Sequence, residues 1–167
     1  MTEATEAIEA PSSLILEGGG NRGVFTAGAL DFLMEKNVKF PYVVGVSAGS
    51  CNALDYVSHQ PGRTRDCMIV ENKENSYIAT RAALKKHQLF DMDMVFDRYP
   101  NELFPFDFDT FFQSDIQCEM VVTNCLTGDA EYMSEKHDRQ RLMDIGRASS
   151  SIPLVSPAVE IDGVPYL

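Results

Sequence analysis

The sequence lacks any long apolar segment, and this absence narrows the class of protein. No stretch approaches about 18 consecutive apolar residues, the length that predicts a membrane-spanning helix. The first residues are acidic and carry neither the positive flank nor the apolar run of a secretory signal peptide. We therefore predict a disordered acidic tail over residues 1–12, a single domain over residues 13–167, and a cytoplasmic protein.

Basic residues are also scarce. The chain has 14 Lys and Arg against 25 Asp and Glu, which gives a formal net charge of −11. Nucleic-acid binding depends on Lys and Arg that neutralise phosphates, so nucleic acid is excluded as an expected partner. The same balance argues against long-range attraction to anionic bilayers. Any peripheral membrane contact is expected to depend on local apolar surface.

The cysteines form no C-x-x-C pair, which removes the commonest sequence signature of a zinc or redox site. They are Cys51, Cys67, Cys118 and Cys125. In a cytoplasmic protein we expect reduced thiols in the core, with a disulfide pair as the alternative. We expect neither a metal nor a cofactor.

Two strand–turn–helix units occupy the first third of the chain. The apolar run at 13–16 leads into a glycine cluster, after which apolar residues recur at helical spacing from Val24 to Met34. A second apolar run begins at Tyr42 and leads into another helical segment. Repeated units of this kind predict an α/β fold with parallel strands and covering helices.

The later segments give further local predictions. We expect a helix over 76–88, a hairpin over 116–133, and a helix that begins after Asp138. The pair Asp162-Gly163 predicts a turn between two short strands. The aromatic residues of 103–112 favour core packing, and a lipid-facing flap is the alternative.

The strongest motif is a G-x-S-x-G pentapeptide, from Gly45 to Gly49, that lies between a predicted strand and a predicted helix. A nucleophilic serine needs a sharp and often strained turn that exposes its Oγ. Gly45 and Gly49 remove side chains that would collide with the facing backbone. Ser47 is therefore the candidate nucleophile, and an idle serine in a tight turn is the alternative.

A second glycine cluster, from Gly18 to Gly23, also closes a strand and opens a helix. It matches G-x-G-x-x-G, but the region 38–42 has no acidic residue that would bind a ribose. It also lacks the Gly-Lys-Ser/Thr of a phosphate-binding P-loop. The remaining interpretation is an oxyanion hole formed by the backbone N–H groups of Gly18, Gly19 and Gly20. Arg22 is either a charge for a substrate phosphate or an anchor of the loop, which closes with Gly23.

Together these motifs resemble those of the patatin-like phospholipases. That family pairs a Gly-Gly-Gly-x-Arg/Lys-Gly loop with G-x-S-x-G at a similar separation, and residues 148–153 resemble its run before the last catalytic strand. The resemblance covers about residues 13–167. It implies a three-layer α/β/α fold and hydrolysis of fatty-acyl ester lipids without a metal or cofactor.

The resemblance also implies a Ser–Asp dyad rather than a triad. The family aspartate follows a Gly-x-x-Tyr-x pattern, and Gly163 to Leu167 match this approach. The general base is therefore expected directly after Leu167, and Asp162 is the alternative. A non-catalytic lipid-binding module is a rival interpretation.

A second rival is a Ser–His–Asp triad. The histidines are His59, His87 and His137. Chain order allows a triad through His137, with an acid drawn from Asp107, Asp109 and Asp129. The sequence around each histidine favours a surface or capping residue, and nothing local supports the triad.

Overall fold

A computed structural model describes residues 7–78 and 90–167. The strands are β1 (Ile8–Glu9), β2 (Ser13–Leu16), β3 (Val38–Lys39), β4 (Tyr42–Gly45), β5 (Gln117–Thr123), β6 (Ala130–Met133), β7 (Val159–Ile161) and β8 (Val164–Tyr166). The helices are α1 (Gly23–Glu35), α2 (Ala48–Val57), α3 (Arg63–Met68), α4 (Met94–Leu103, wound as a π-helix), α5 (Phe108–Gln113) and α6 (Arg139–Ser150). Single 3₁₀ turns lie at Gly20–Arg22 and Lys73–Asn75.

The central sheet has four strands in the order β2-β4-β5-β6. The first three strands are parallel, and β6 returns antiparallel to β5. Leu16, Gly45 and Met120 are in register across the parallel strands, so β2 and β4 both end where the glycine motifs begin. The α/β class with a mainly parallel sheet is confirmed, as is the hairpin predicted over 116–133.

Two short pairs complete the strand pattern. β1 runs parallel to β3, and β7 runs antiparallel to β8 about the Asp162-Gly163 turn, as predicted. Helix α6 begins where the sequence indicated, because the Asp138 carboxylate accepts the N–H of Arg141 at 3.0 Å and caps the first turn.

The core lies on one face of the sheet. Met120 and Val122 point into it and are 1% exposed, and they pack with residues of α2 and α6 such as Leu54 and Leu142. The opposite face carries Ile15, which is 69% exposed. Residues 7–78 and 90–167 therefore supply two of the three layers that the family resemblance implies.

The aromatic stretch is part of the core. Phe106, Phe108 and Phe111 are buried, and their rings contact one another with centroids 4.9 to 5.8 Å apart. The core interpretation is therefore confirmed over the alternative of an exposed flap.

The predicted tail needs correction, and the predicted helix over 76–88 lies mostly outside the residues that the structure describes. Residues 8–9 form β1 instead of a disordered tail, because the N–H of Ile8 bonds to the carbonyl of Asn37 at 2.9 Å and Ala10 bonds to Lys39 at 2.8 Å. Residues 1–6 lie outside the described part of the chain, as does most of the helix predicted over 76–88. Ile78, at the edge of that segment, forms a β-bridge with Phe90.

We predict that Ile145→Ala lowers the free energy of unfolding by about 2–5 kcal/mol, because Ile145 is 0% exposed and truncation leaves a cavity. The matched change Ile15→Ala, on the open sheet face, should cost about 1 kcal/mol or less. Urea titration followed by circular dichroism measures both. Equal costs would contradict the assignment of the core to one face.

Candidate active site

Ser47 occupies a strained turn between β4 and α2. Its backbone has φ 57° and ψ −125°, a conformation that residues with a side chain rarely adopt. Helix α2 begins at the next residue, and Ser47 is half-buried. The sharp turn that the sequence predicted is present, and Ser47 is the N-cap of α2, with its carbonyl oxygen accepting the N–H of Ser50 at 2.9 Å.

The two motif glycines permit a close crossing of backbones. A Cβ atom at Gly49 would lie 2.2 Å from the carbonyl oxygen of Leu16, and one at Gly45 would lie 2.4 Å from the carbonyl oxygen of Gly49. Both distances are far below van der Waals contact, so only glycine fits. Helix α2 can therefore start directly over the ends of β2 and β4.

The glycine loop lies beside the serine. A Cβ at Gly18 would be 3.2 Å from the Cβ of Ser47 and 3.8 Å from its Oγ, and Gly20 adopts φ +54°. The N–H groups of Gly18, Gly19 and Gly20 donate no hydrogen bond to any part of the chain that the structure describes. Within the described part of the chain, they are therefore unpaired backbone donors next to the candidate nucleophile.

Arg22 and Gly23 support the loop. Arg22 is exposed, and its Nε makes a long hydrogen bond of 3.5 Å to the carbonyl oxygen of Gly19, which matches the anchoring interpretation. A Cβ at Gly23 would lie 3.1 Å from that of Ala48, so α1 and α2 meet closely at this point.

Ser149 is a site residue that the motif analysis missed. Its Oγ accepts the backbone N–H of Ser47 at 3.0 Å and lies 2.8 Å from the Oγ of Ser50. Ser149 is 7% exposed, so this pairing takes place in the interior. The only signal in the sequence was the resemblance of residues 148–153 to a family run.

The structure does not bring Asp162 to Ser47. Asp162 lies in the β7–β8 turn at φ 53°, and its carboxylate binds the guanidinium of Arg141 at 2.8 Å. Within residues 7–78 and 90–167, no side chain hydrogen-bonds to the Oγ of Ser47. The described residues therefore contain the serine and the unpaired donors, but no partner that takes the proton.

The histidines of the described chain are equally remote. His59 adopts φ 53° beyond the C-terminal end of α2 and lines a cavity with Met34 and Ile116, whereas Ser47 lines another cavity, which is described below. His137 is exposed and lines neither of these two cavities. His87 lies outside the described residues.

The acids of the predicted triad have other roles. Asp107 caps α5 through the N–H of Thr110, and Asp109 pairs with Arg139 at 2.8 Å. Asp129 is exposed in the hairpin. None of the three approaches Ser47, so the described residues do not assemble a triad.

An apolar cavity opens at Ser47. It has a volume of about 190 Å³ and lies between α2, α3, α4 and α6. Burial raises the pKa of Cys51, in its wall, to about 11 and that of Cys67 to about 12. Both thiols are therefore neutral at pH 7 and do not compete with Ser47 as nucleophiles.

All four cysteines are free, as the sequence predicted, but Cys125 is exposed and its expected core position is wrong. In the part of the chain that is described, no group of three or more His, Cys, Asp or Glu side chains is arranged to hold a metal ion. In the same residues, no helix is both long and apolar enough to cross a membrane.

Comparison with known proteins adds to this geometry. The family model described as patatin-like phospholipase matches residues 14–167. The chain belongs to the patatin-like phospholipase family. Both the strained serine turn and the glycine loop lie within the matched residues.

The patatin-like chain is also similar to a curated bacterial protein. It is 29% identical over 160 residues to the uncharacterized protein YjjU of Escherichia coli strain K12. The match covers 93% of this chain and 44% of that protein. The patatin-like chain therefore spans less than half the length of this relative.

We predict that Gly49→Ala lowers the free energy of unfolding by more than about 4 kcal/mol, because its Cβ would collide with a fixed backbone carbonyl. Gly28→Ala is the control, since nothing lies within 4 Å of a Cβ there and the residue is exposed in α1. It should stabilise the protein by about 0.5–1 kcal/mol. Thermal and urea unfolding compare the two variants, and a well-folded Gly49→Ala protein would contradict the close crossing.

Proposed function

We propose that the protein is a serine lipid acyl hydrolase of phospholipase A or lysophospholipase type. The observation that carries the proposal is the strained Ser47, which opens into an apolar cavity beside backbone donors that have no partner within residues 7–78 and 90–167. A nucleophile needs exposure, an apolar acyl site and donors for the developing charge, and these features meet at one point.

The N–H groups of Gly18, Gly19 and Gly20 are proposed to stabilise the oxyanion. When Ser47 Oγ attacks the ester carbonyl, negative charge develops on the carbonyl oxygen. Fixed donors stabilise that charge without reorganisation, and the loss of one such donor typically costs about 3–4 kcal/mol. Donors with no other partner in the described chain are suited to this role.

The proposed general base is an aspartate directly after Leu167. Leu167 is held opposite Thr123 by an N–H···O bond of 3.0 Å, so the antiparallel pairing would set the next residue opposite Val122. Gly45 is in register with Met120, and Ser47 follows two residues later at the level of Val122. Both registers lead to the same level of the sheet, which supports a Ser–Asp dyad.

The reaction then follows from these groups. The aspartate takes the Ser47 hydroxyl proton as Oγ forms a bond to the ester carbon. The tetrahedral intermediate expels the alcohol, which takes that proton, and leaves an acyl-enzyme. A water molecule gives a proton to the aspartate, attacks the acyl-enzyme and releases the fatty acid, with the proton returning to Ser47.

Peripheral contact with a lipid surface is part of the proposal. Ile152 lines the cavity and is 44% exposed, and Leu154 nearby is 96% exposed. A net charge of −11 leaves apolar contact of this kind, rather than charge attraction, as the basis for binding.

A lipid-binding module without catalysis is the second candidate. It is favoured by the lack of any hydrogen-bonded base for Ser47 Oγ among the residues that the structure describes. The two candidates differ in whether Ser47 reacts covalently with an ester analogue.

We predict that Ser47→Ala lowers ester hydrolysis by at least about a thousandfold, because the covalent step is lost, while the fold is kept. The full-length protein is treated with a fluorophosphonate and weighed by intact mass spectrometry. One adduct is expected, and it should be absent in Ser47→Ala but retained in Ser134→Ala, a change at an exposed serine.

Three outcomes separate the candidates. Hydrolysis that persists in Ser47→Ala would refute the nucleophile. A folded full-length protein without an adduct would favour the binding module. Loss of activity in His137→Ala would favour the triad.

We predict that Ser149→Ala lowers kcat roughly five- to tenfold with KM unchanged, because the acceptor that fixes the Ser47 backbone is lost. Ser151→Ala is the control, since among the described residues its hydroxyl bonds only to the carbonyl of Arg147. Steady-state kinetics with a soluble ester measures both. A rise in KM with kcat preserved would show that Ser149 does not act through the nucleophile.

A further inference from the structure

The cavity that opens at Ser47 follows one face of α2. Its wall includes Ala48, Cys51, Leu54 and Asp55, which recur at helical spacing along a single stripe. Asp55 lies eight positions after Ser47, and at a rise of 1.5 Å per residue this gives a path of about 12 Å. The lining residues therefore extend from the nucleophile along about two turns of α2, and the cavity is referred to below as the channel.

The other walls are mostly apolar. They include Met68 of α3, Phe96 and Tyr99 of α4, Met143 of α6, and Phe106. Phe96 is 5% exposed and Tyr99 is 1% exposed, so these walls belong to the packed core. A channel of this composition favours a hydrocarbon chain over a polar head group.

A buried ion pair forms the far end of the channel. The Nη1 of Arg63 lies 2.7 Å from Oδ1 of Asp55, and the Thr64 hydroxyl donates to Oδ2 at 2.6 Å. The Nε and Nη2 of Arg63 both donate to the carbonyl oxygen of Phe104, at 3.0 and 2.8 Å. The Phe106 ring lies 5.2 Å from the guanidinium carbon.

The Asp55–Arg63 pair makes the far end of the channel rigid. Both carboxylate oxygens of Asp55 are hydrogen-bonded, and Arg63 is tied to two partners. A chain that pushed between the two groups would leave buried charges unpaired, which proteins strongly disfavour. The ion pair therefore limits how deeply an acyl chain can enter.

The volume of the channel and its length give similar estimates of the number of carbon atoms that it holds. An engineered apolar cavity of about 150 Å³ takes up benzene, so 190 Å³ in this protein corresponds to about eight carbon atoms. An extended hydrocarbon chain with bonds of about 1.5 Å advances about 1.3 Å per carbon, so a path of about 12 Å holds about nine carbons. Both estimates describe a medium-length chain.

We propose that this channel binds the acyl chain of the ester, and that the Asp55–Arg63 pair restricts the enzyme to medium-length chains of about eight carbons. The proposal rests on the acyl hydrolase function proposed above and adds the substrate class. Chains of 14 to 16 carbons exceed the channel.

The first test is the acyl-length profile of the full-length protein with p-nitrophenyl esters from acetate to palmitate, each below its aggregation concentration. Each added methylene that enters the channel should raise kcat/KM by about fourfold, up to about octanoate. Myristate and palmitate should fall at least about tenfold below the optimum. A profile that rises through palmitate, or one that is flat, would overturn the proposal.

A variant that fills the channel tests its path. Cys51→Phe places a ring one helical turn from Ser47, so the ratio of octanoate to acetate activity should fall at least about tenfold. Cys125→Phe is the matched control at an exposed cysteine, and it should leave the ratio unchanged. An unchanged ratio in folded Cys51→Phe would show that the chain lies elsewhere.

A variant that opens the far end tests the ion pair. Asp55→Ala combined with Arg63→Ala removes both charges together, so neither remains buried alone. The optimum should move to longer chains by several carbons. If the folded double variant keeps its optimum at octanoate, the pair does not set the limit.

A binding experiment separates this proposal from the catalytic one. The Ser47→Ala protein is titrated with saturated fatty acids of 6 to 16 carbons by calorimetry, and the affinity should peak near eight carbons. Octanoate binding without any ester hydrolysis by the native protein would contradict the hydrolase proposal and support the channel. Ester hydrolysis with no preference for chain length in binding would contradict the channel proposal and support the hydrolase.

Discussion

The close crossing of α2 over the ends of β2 and β4 is the constraint on which the rest of the site depends. It requires glycine at 45 and 49, since a Cβ at either position would lie 2.4 or 2.2 Å from a carbonyl oxygen. With α2 held this close, the chain between β4 and α2 has almost no length, and Ser47 adopts φ 57°. The strain of the serine is thus a result of how tightly the helix and the sheet pack.

The same crossing explains why the glycine loop and the channel meet at Ser47. Parallel strands β2 and β4 end at the same edge of the sheet, so the loops that follow them are neighbours. Helix α2 then runs away from this edge, and the stripe of residues along its inner face becomes one wall of the channel. Nucleophile, backbone donors and acyl channel are therefore set by the placement of one helix.

Local patterns predicted much of this arrangement. Apolar spacing gave α1, the Asp138 cap gave the start of α6, and the glycine spacing gave the turn at Ser47. These features depend on residues that are close in the sequence. The edge strand β1 was missed because its two residues are exposed and its order comes from backbone bonds to the strand that follows α1.

Features that join distant segments were not predictable from local patterns. The Arg63 guanidinium reaches Phe104, 41 residues onward, and no pattern in either segment indicates the other. The open face of the sheet is another such feature, since its exposed Ile15 belongs to a short apolar run and its exposed Tyr132 to a predicted hairpin. Position in the sheet, rather than the strand sequence, decides which face is covered.

The hydrogen bond from the Ser47 N–H to Ser149 links two points that are 102 residues apart. During synthesis, the serine turn leaves the ribosome long before its acceptor does. A fragment that stops before α6 would contain both glycine motifs intact, yet the backbone of its nucleophile would lack this acceptor. The integrity of the motif in the sequence and the integrity of the turn in space are thus separate properties of this chain.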